Sequence, residues 1–415
     1  MKICTHSIKD WRSVACGIFV PSGSSTELDS QNGYSHFLEH LVFKGGNKYT
    51  ATEIAEITDA TGGEMNAYTS IEHTAFYFKV LKEDLKDTLD VLKDIVLYPR
   101  LDEADIQTEK GVILSEISSM YDSPQELSSH GIFMAAWGSH PSTRPVLGNA
   151  GVIGNSTSES IRAFHNARYV DDDMLISLSG AIAHDEATDM LRESGIVCEE
   201  LSGKVSPTVE KTTFTNRKYA CNFDCEQVYF TYAWSGPTLG SPEIELEMVS
   251  NSILAGSFSS RLFQRLREKE GLVYNVAGFA TALTHGGLVG VYGSVPMASF
   301  AKTDTILREE IGRFKRDGVT HEELERAKSM IRGSTALSQE SNMAIMHRMG
   351  KLGILLGYVP SLDELLDRIS RIDDNRINSY IKDSTPDDFA VSVVGKKVTD
   401  IDGFTEYDMR SEERG

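Results

Sequence analysis

The sequence predicts an α+β protein built from two halves that repeat one order of elements. Three observations point there. The chain, at 415 residues, is long for a single hydrophobic core, so two or more domains are expected. Segments of strand composition alternate with segments of helical spacing throughout. A slide of 211 residues places Gly256 on Gly45 and sets AGFAT (277–281) against NAYTS (66–70), and a slide of 219 sets THEELERAK (320–328) against LDEADIQTE (101–109).

Strand-like segments open the chain at Ile3–Ile8 and Ser13–Val20. YSHFLEHLVFK then reads as a helix ending at Gly45–Gly46. Thr50 and Glu53 form a capping box for the next helix, which Gly62–Gly63 stops. Residues 64–81 are rich in Tyr, Phe, Thr and Val and read as two strands with a turn near Ser70–His73. Leu85, Leu89, Leu92 and Val96 recur at helical spacing, and another helix runs from about Asp102 to Tyr121, ending before Pro124. A strand near Met174–Ser179 and a helix near Asp185–Glu193 complete the first half. The polar, aperiodic stretch Glu199–Arg217 is the candidate linker. The second half begins with strand Gln227–Trp234, helices at Pro242–Ala255 and Ser259–Lys269, and strands near 272–295. Four helical stretches and a strand, Phe389–Val394, close it.

Composition narrows the function. A net charge of −20 argues against nucleic acid as partner, because phosphate binding needs clustered Lys and Arg. No run of about 18 apolar residues suggests a membrane span. The first residues, MKICTHSIKDWRSVACGIFV, lack the apolar region and cleavage site of a secretory signal, so a cytoplasmic protein is expected. Five scattered cysteines (Cys4, Cys16, Cys198, Cys221, Cys225) argue against a disulfide framework or a cysteine zinc site.

The chemistry-bearing motif is H-x-x-E-H at His36, Glu39 and His40. Residues four apart share one helix face, so both imidazoles can reach one metal ion. Glu39 sits on the adjoining face, where it can bond a water without having to ligate. This is the zinc-protease motif H-E-x-x-H read in reverse. The competing reading is a histidine pair on a half-buried helix. A catalytic zinc takes three protein ligands, and the helix near 102–121 offers Glu109 and Glu116, seven residues apart and therefore on one face. One can bind the metal while the other supports a histidine. Val112, Ile113, Leu114 and Ile117 around Glu116 suggest a buried face there. The two slides set Glu247, Asn251 and Thr335 opposite His36, His40 and Glu116, so the second copy would lack a metal site. His73, in a strand turn, reads as an exposed or hydrogen-bonded histidine rather than a ligand.

GYSHFLEHLVFKGG, GGEMNAYTSIEHTAFYF, EKGVILSEISS and SFSSRLFQRLREKEGLVYNV together resemble the pitrilysin-type (M16) zinc peptidases, especially short bacterial members similar to the subunits of mitochondrial processing peptidase. The resemblance implies that His36, His40 and Glu116 hold one Zn2+ per chain, that Glu39 is the general base and that Glu109 supports the site. It implies that Asn66 and Ala67 form the edge strand that pairs with substrate backbone. Arg267 and Tyr274 resemble the pair that holds substrate, with Tyr274 also acting on the developing oxyanion. Each half is implied to be an α/β roll, a mostly antiparallel sheet packed with helices, with domains at 1–203 (zinc-binding) and 204–415 (no metal). Two such pairs form a clam-like shell, so a chain of this length is expected to dimerise. Both functional sets on one chain favour a homodimer over a heterodimer with a zinc-free partner. The rival of another class is a peptide-binding or core-subunit relative without turnover.

Overall fold

The computed structural model describes residues 1–203 and 207–407. The boundary expected between 203 and 204 falls at the edge of this gap, and residues 204–206 of the candidate linker lie outside the described residues. Among the described residues no helix is long and apolar enough to cross a membrane.

Two six-stranded sheets organise the chain. The first holds β1 (Lys2–Ser7), β2 (Ser13–Val20), β3 (Glu64–Thr69), β4 (Thr74–Leu81), β5 (Leu175–Gly180) and β6 (Glu199–Glu200), in the order β3-β4-β2-β5-β1-β6. The second holds β7 (Lys218–Asn222), β8 (Gln227–Ser235), β9 (Val276–Ala282), β10 (Gly287–Pro296), β11 (Ala390–Gly395) and β12 (Thr405–Glu406), in the order β9-β10-β8-β11-β7-β12. The pairings correspond one for one. The outer four strands of each run antiparallel, and β1 and β7 lie parallel to both of their neighbours. This is the α+β, twice-built architecture the sequence predicts.

The helices of the first half are α1 (Tyr34–Val42), α2 (Ala51–Thr61), α3 (Leu85–Leu97), α4 (Glu103–Tyr121), α5 (Pro124–Trp137), α6 (Ala150–Asn155), α7 (Ser158–Arg168) and α8 (His184–Glu193). Those of the second are α9 (Ile244–Leu254), α10 (Met297–Asp317), α11 (His321–Ser338), α12 (Asn342–Leu356), α13 (Leu362–Ser370) and α14 (Asp374–Ser384). Where four helical stretches are expected after β10, five stand among the described residues, and the sequence reading places none of α5, α6, α7, β6, β7 and β12.

The chain divides into two compact units that are not contiguous in sequence. One comprises Met1–Ser118, Arg144–Val209 and Ala336–Pro360; the other comprises Ser119–Thr143, Glu210–Thr335 and Ser361–Gly415. Each sheet is therefore covered on one face by a helix from the other half of the sequence. In the first unit, strand alternation sends Val14, Cys16, Ile18 and Val20 of β2 to one face and Ala15, Gly17 and Phe19 to the other. The second face takes α12. The approach is close enough to require glycine: a Cβ on Gly350 would lie 2.0 Å from the Phe19 ring. In the second unit, Val228, Phe230, Tyr232 and Trp234 of β8 enter the main core. Tyr229, Thr231 and Ala233 face the opposite way, toward α5, whose Ser128 hydroxyl meets that of Thr231 at 2.9 Å.

Candidate metal centre

The first unit contains His36, Glu39, His40, Glu109 and Glu116, and local structure fixes each one. Helix α1 starts at Gly33, whose φ of +99° lies in the left-handed region, and a Cβ there would sit 2.6 Å from the Gly148 Cα. The buried Glu27 carboxylate closes this helix start, accepting the Gly33 N–H at 2.8 Å and the Ser35 N–H at 2.7 Å. Burial pushes the Glu27 carboxyl up, and the hydrogen bonds from Ser35, Gly33 and Asn32 pull it back only in part. Nothing in the sequence singled out Glu27, which lies outside the motif and does its work by orienting the helix.

One turn on, the His36 and His40 rings stand edge to face, with centroids 4.8 Å apart. Glu116 Oε2 on α4 lies 3.7 Å from Nε2 of both. One ligand atom from each of His36, His40 and Glu116 lies within 4.8 Å of the others, and among the described residues this is the group of three or more such side chains placed to hold a metal ion. Tetrahedral zinc with bonds of about 2.0–2.2 Å would set its ligand atoms roughly 3.4 Å apart, so the separations to Glu116 are close to what zinc needs.

The supporting contacts fit the same ion. His40 Nδ1 lies 3.1 Å from Glu109 Oε2, which fixes the proton on Nδ1 and leaves Nε2 free to coordinate. Lys44 Nζ, 2.5 Å from Glu109 Oε1, balances that buried carboxylate. Burial, with the neighbouring His40, lowers the His36 pKa to about 4 and so keeps its ring neutral. The two glutamates differ from the sequence expectation. Glu109 is the buried one, while Glu116 is half-buried; Ile113 and Ile117 beside it are buried, but Val112 is 40% exposed. An open side at Glu116 suits a site that must admit a substrate.

Glu39 lies on the neighbouring face of α1. The Thr69 hydroxyl donates to its Oε2 at 2.6 Å. Burial holds the Glu39 carboxyl above its usual range, against the opposing pull of Thr69. Thr69 is a site residue the sequence reading missed. It ends β3, the outer strand of the sheet, where Asn66 is exposed and Ala67 buried. Asn66 Oδ1 accepts the Ala67 N–H at 2.8 Å. His73 is buried, with Nε2 3.0 Å from the Tyr68 hydroxyl and Nδ1 2.9 Å from Ser70 Oγ, which is the hydrogen-bonded reading rather than the ligand one.

Arg267 and Tyr274 come together in the second unit. Where a regular helix was expected, Phe263–Lys269 is π-helical, a rare form often found at functional sites. Its wide turn sets the Arg267 guanidinium 4.8 Å from the Phe263 ring centre and 5.2 Å from that of Tyr274. Tyr274 is 85% exposed.

The chain is similar to known proteins over most of its length. The family profile described as insulinase (peptidase family M16) matches residues 2–150. The profile for the M16 inactive domain matches residues 155–331. The chain belongs to the M16 peptidase family. It is 34% identical over 383 residues to the uncharacterized zinc protease YmxG of Bacillus subtilis, covering 92% of this chain and 93% of that one. It is 31% identical to an uncharacterized zinc protease of Streptomyces coelicolor, covering 95% and 87%. An M16 inactive-domain protein of Pseudomonas fluorescens superposes with a TM-score of 0.87 at 19% identity, covering 95% and 96%. A protease of Helicobacter pylori gives 0.85 at 18%, also covering 95% and 96%. Both structures share the fold of this chain.

Proposed function

We propose that this M16 protein is a zinc endopeptidase that holds one Zn2+ per chain on His36, His40 and Glu116 and uses Glu39 as its general base. The observation that carries the proposal is the convergence of three ligand atoms within 4.8 Å beside a carboxylate that none of them needs. Zinc bound there supplies Lewis acidity and makes water a nucleophile near neutral pH. Glu39 takes the proton from the attacking water and passes it to the leaving amine nitrogen. The Thr69 hydroxyl holds one Glu39 oxygen, so the carboxylate meets the water in a fixed orientation. Glu109 holds the His40 ring in the tautomer that keeps Nε2 available.

The peptide adds as a strand along the outer edge of β3 at Asn66–Ala67, giving main-chain affinity with limited sequence demand. It displaces the Asn66 amide from the Ala67 N–H as it pairs. Arg267 and Tyr274 offer a cation and a phenol to substrate carbonyl groups, Tyr274 also to the developing oxyanion. Because one chain carries both sets, the proposed assembly is a homodimer, working on peptides in the cytoplasm. Light scattering tests this: a mass near twice 45.8 kDa supports it, whereas activity that appears only with a second, different chain contradicts it.

The deciding experiment is cleavage of a mixed peptide pool by zinc-loaded protein beside Glu39→Gln. The wild type should cleave and the variant should lose about 10²–10⁴-fold in rate with its zinc content unchanged. Equal cleavage by both would remove Glu39 from the mechanism. Zinc-loaded wild type that never cleaves would favour a binding-only relative or one needing a partner.

A further inference from the structure

We infer that the second unit carries a side-chain pocket selective for tyrosine in the bound peptide, an inference that rests on the peptidase reading above.

The pocket follows from strand alternation. On β8 and β10 the residues that turn away from the main core are Tyr229 and Thr231, and Tyr292 and Ser294. Tyr292 pairs directly with Thr231, and Ser294 with Tyr229, so all four share one patch of sheet. Helix α5 covers the neighbouring strands and only part of this patch, reaching it with the side chains near its start. What remains is a cavity of about 280 Å³. Tyr274 and Asn275 line it too, and Tyr274 is 85% exposed, so a peptide held by Tyr274 lies beside the cavity.

The lining decides what enters. Among the described residues no charged side chain lines the cavity. A charged side chain entering it would leave water without a countercharge in the lining, the Arg267 guanidinium standing outside it against the Tyr274 ring. Tyr229, Tyr274 and Tyr292 present aromatic surface, and their hydroxyls have no hydrogen-bond partner among the described residues. A second aromatic ring meets such walls in favourable edge or offset geometry. The floor is polar: Ser128 and Thr231 are buried and bonded to each other, and each hydroxyl oxygen keeps capacity to accept a further proton. An aromatic side chain with a hydrogen-bonding tip satisfies walls and floor together. Phenylalanine satisfies the walls alone.

The equivalent patch of the first unit shows what a filled version looks like. There Tyr77 on β4 packs edge-on against His347 of α12 at 4.4 Å, and Tyr68 lies 5.5 Å from the same ring. The second unit keeps the strand-to-strand contact, Phe279 with Tyr292 at 6.4 Å as Tyr68 with Tyr77 at 6.3 Å, but among the described residues no ring of its covering helix α5 meets Tyr292.

The test reads binding separately from turnover. Zinc-loaded Glu39→Gln protein is titrated, by fluorescence anisotropy, with labelled peptides that differ at one position among Tyr, Phe, Lys and Glu, the position being scanned along the peptide. At one position Tyr should bind about tenfold or more tighter than Lys or Glu, and measurably tighter than Phe. Thr231→Val, which keeps the shape, should erase the difference between Tyr and Phe. Tyr292→Leu should erase the preference over Lys and Glu, and if that variant loses its fold the Thr231→Val result carries the test. Equal affinities at every position, or a preference unchanged in Thr231→Val, would overturn the pocket. Wild-type cleavage without side-chain preference would leave the peptidase reading standing and the pocket refuted. Selective binding by the Glu39→Gln protein together with a wild type that never cleaves would do the reverse.

Discussion

Helices α1 and α9 hold the same place against two sheets of identical strand order, and they carry different chemistry there. On α1, His36 and His40 turn toward Glu116. On α9, the positions that a slide of 211 residues sets opposite them are Glu247 and Asn251. Glu247 is buried and accepts the Tyr380 hydroxyl at 2.6 Å. Asn251 donates to the Phe279 carbonyl of β9 at 3.2 Å. A helix that points side chains at an outer strand can thus hold a metal or tie itself to its neighbours, and the residue type at two positions decides which. The second copy spends those positions on internal hydrogen bonds, and its exposed pair, Arg267 and Tyr274, sits elsewhere.

Glu109→Gln removes the carboxylate behind His40 without touching a ligand, and zinc affinity should fall about 10–100-fold in a competition titration against a chelator. Unchanged affinity would mean that Glu109 merely balances Lys44. Thr69→Val tests the base rather than the metal. A hydrogen bond to a charged group is worth about 1.5–3 kcal/mol, so kcat should drop about 10- to 100-fold while zinc content and KM stay put. A rise in KM alone would instead make Thr69 a substrate contact.

The structural side responds to pH. Burial raises the Glu247 pKa to about 7, from an ordinary value near 4.5. Between those two values the folded chain binds this proton more tightly than the unfolded chain, so the stability due to Glu247 is greatest below about pH 4.5 and is lost as pH rises through 7. Glu247→Gln removes that loss. The variant should gain about 3 kcal/mol over wild type at pH 8.5 and under about 1 kcal/mol at pH 5, as read by denaturant melts. Equal stability of both proteins at both pH values would show that Glu247 ionises in the fold at no cost.

Much of this was legible in the sequence because it is local. The i, i+4 histidines, the seven-residue spacing of Glu109 and Glu116, and the capping box at Thr50 and Glu53 are each contained in one helix. The duplicated order survived at low identity because strand and helix periods persist when residues change. Long-range partners left no such trace. Thr69 finds Glu39 across 30 residues, and nothing marks one threonine of a strand as the partner of a distant carboxylate. Helix α5 escaped notice because it approaches its sheet through small residues, Ser128, Gly131 and Ala135, which interrupt any apolar stripe. The placement of α12 on the first sheet is likewise tertiary: its glycines Gly350 and Gly353 are the only local sign of a close approach, and they do not say to what. The π-helical turn under Arg267 reads in sequence as an ordinary helix, since its composition is that of one.

The metal site proposed on α1 and α4 has no counterpart on α9 and α11 among the described residues. Zinc measured by mass spectrometry against protein concentration tests it most directly, in wild type, His36→Ala/His40→Ala and Glu247→Gln/Asn251→Ala. One zinc per chain is expected in the wild type and in the Glu247/Asn251 variant, and none in the His36/His40 variant. Zinc retained after both histidines are removed, or a second zinc lost with Glu247 and Asn251, would contradict it.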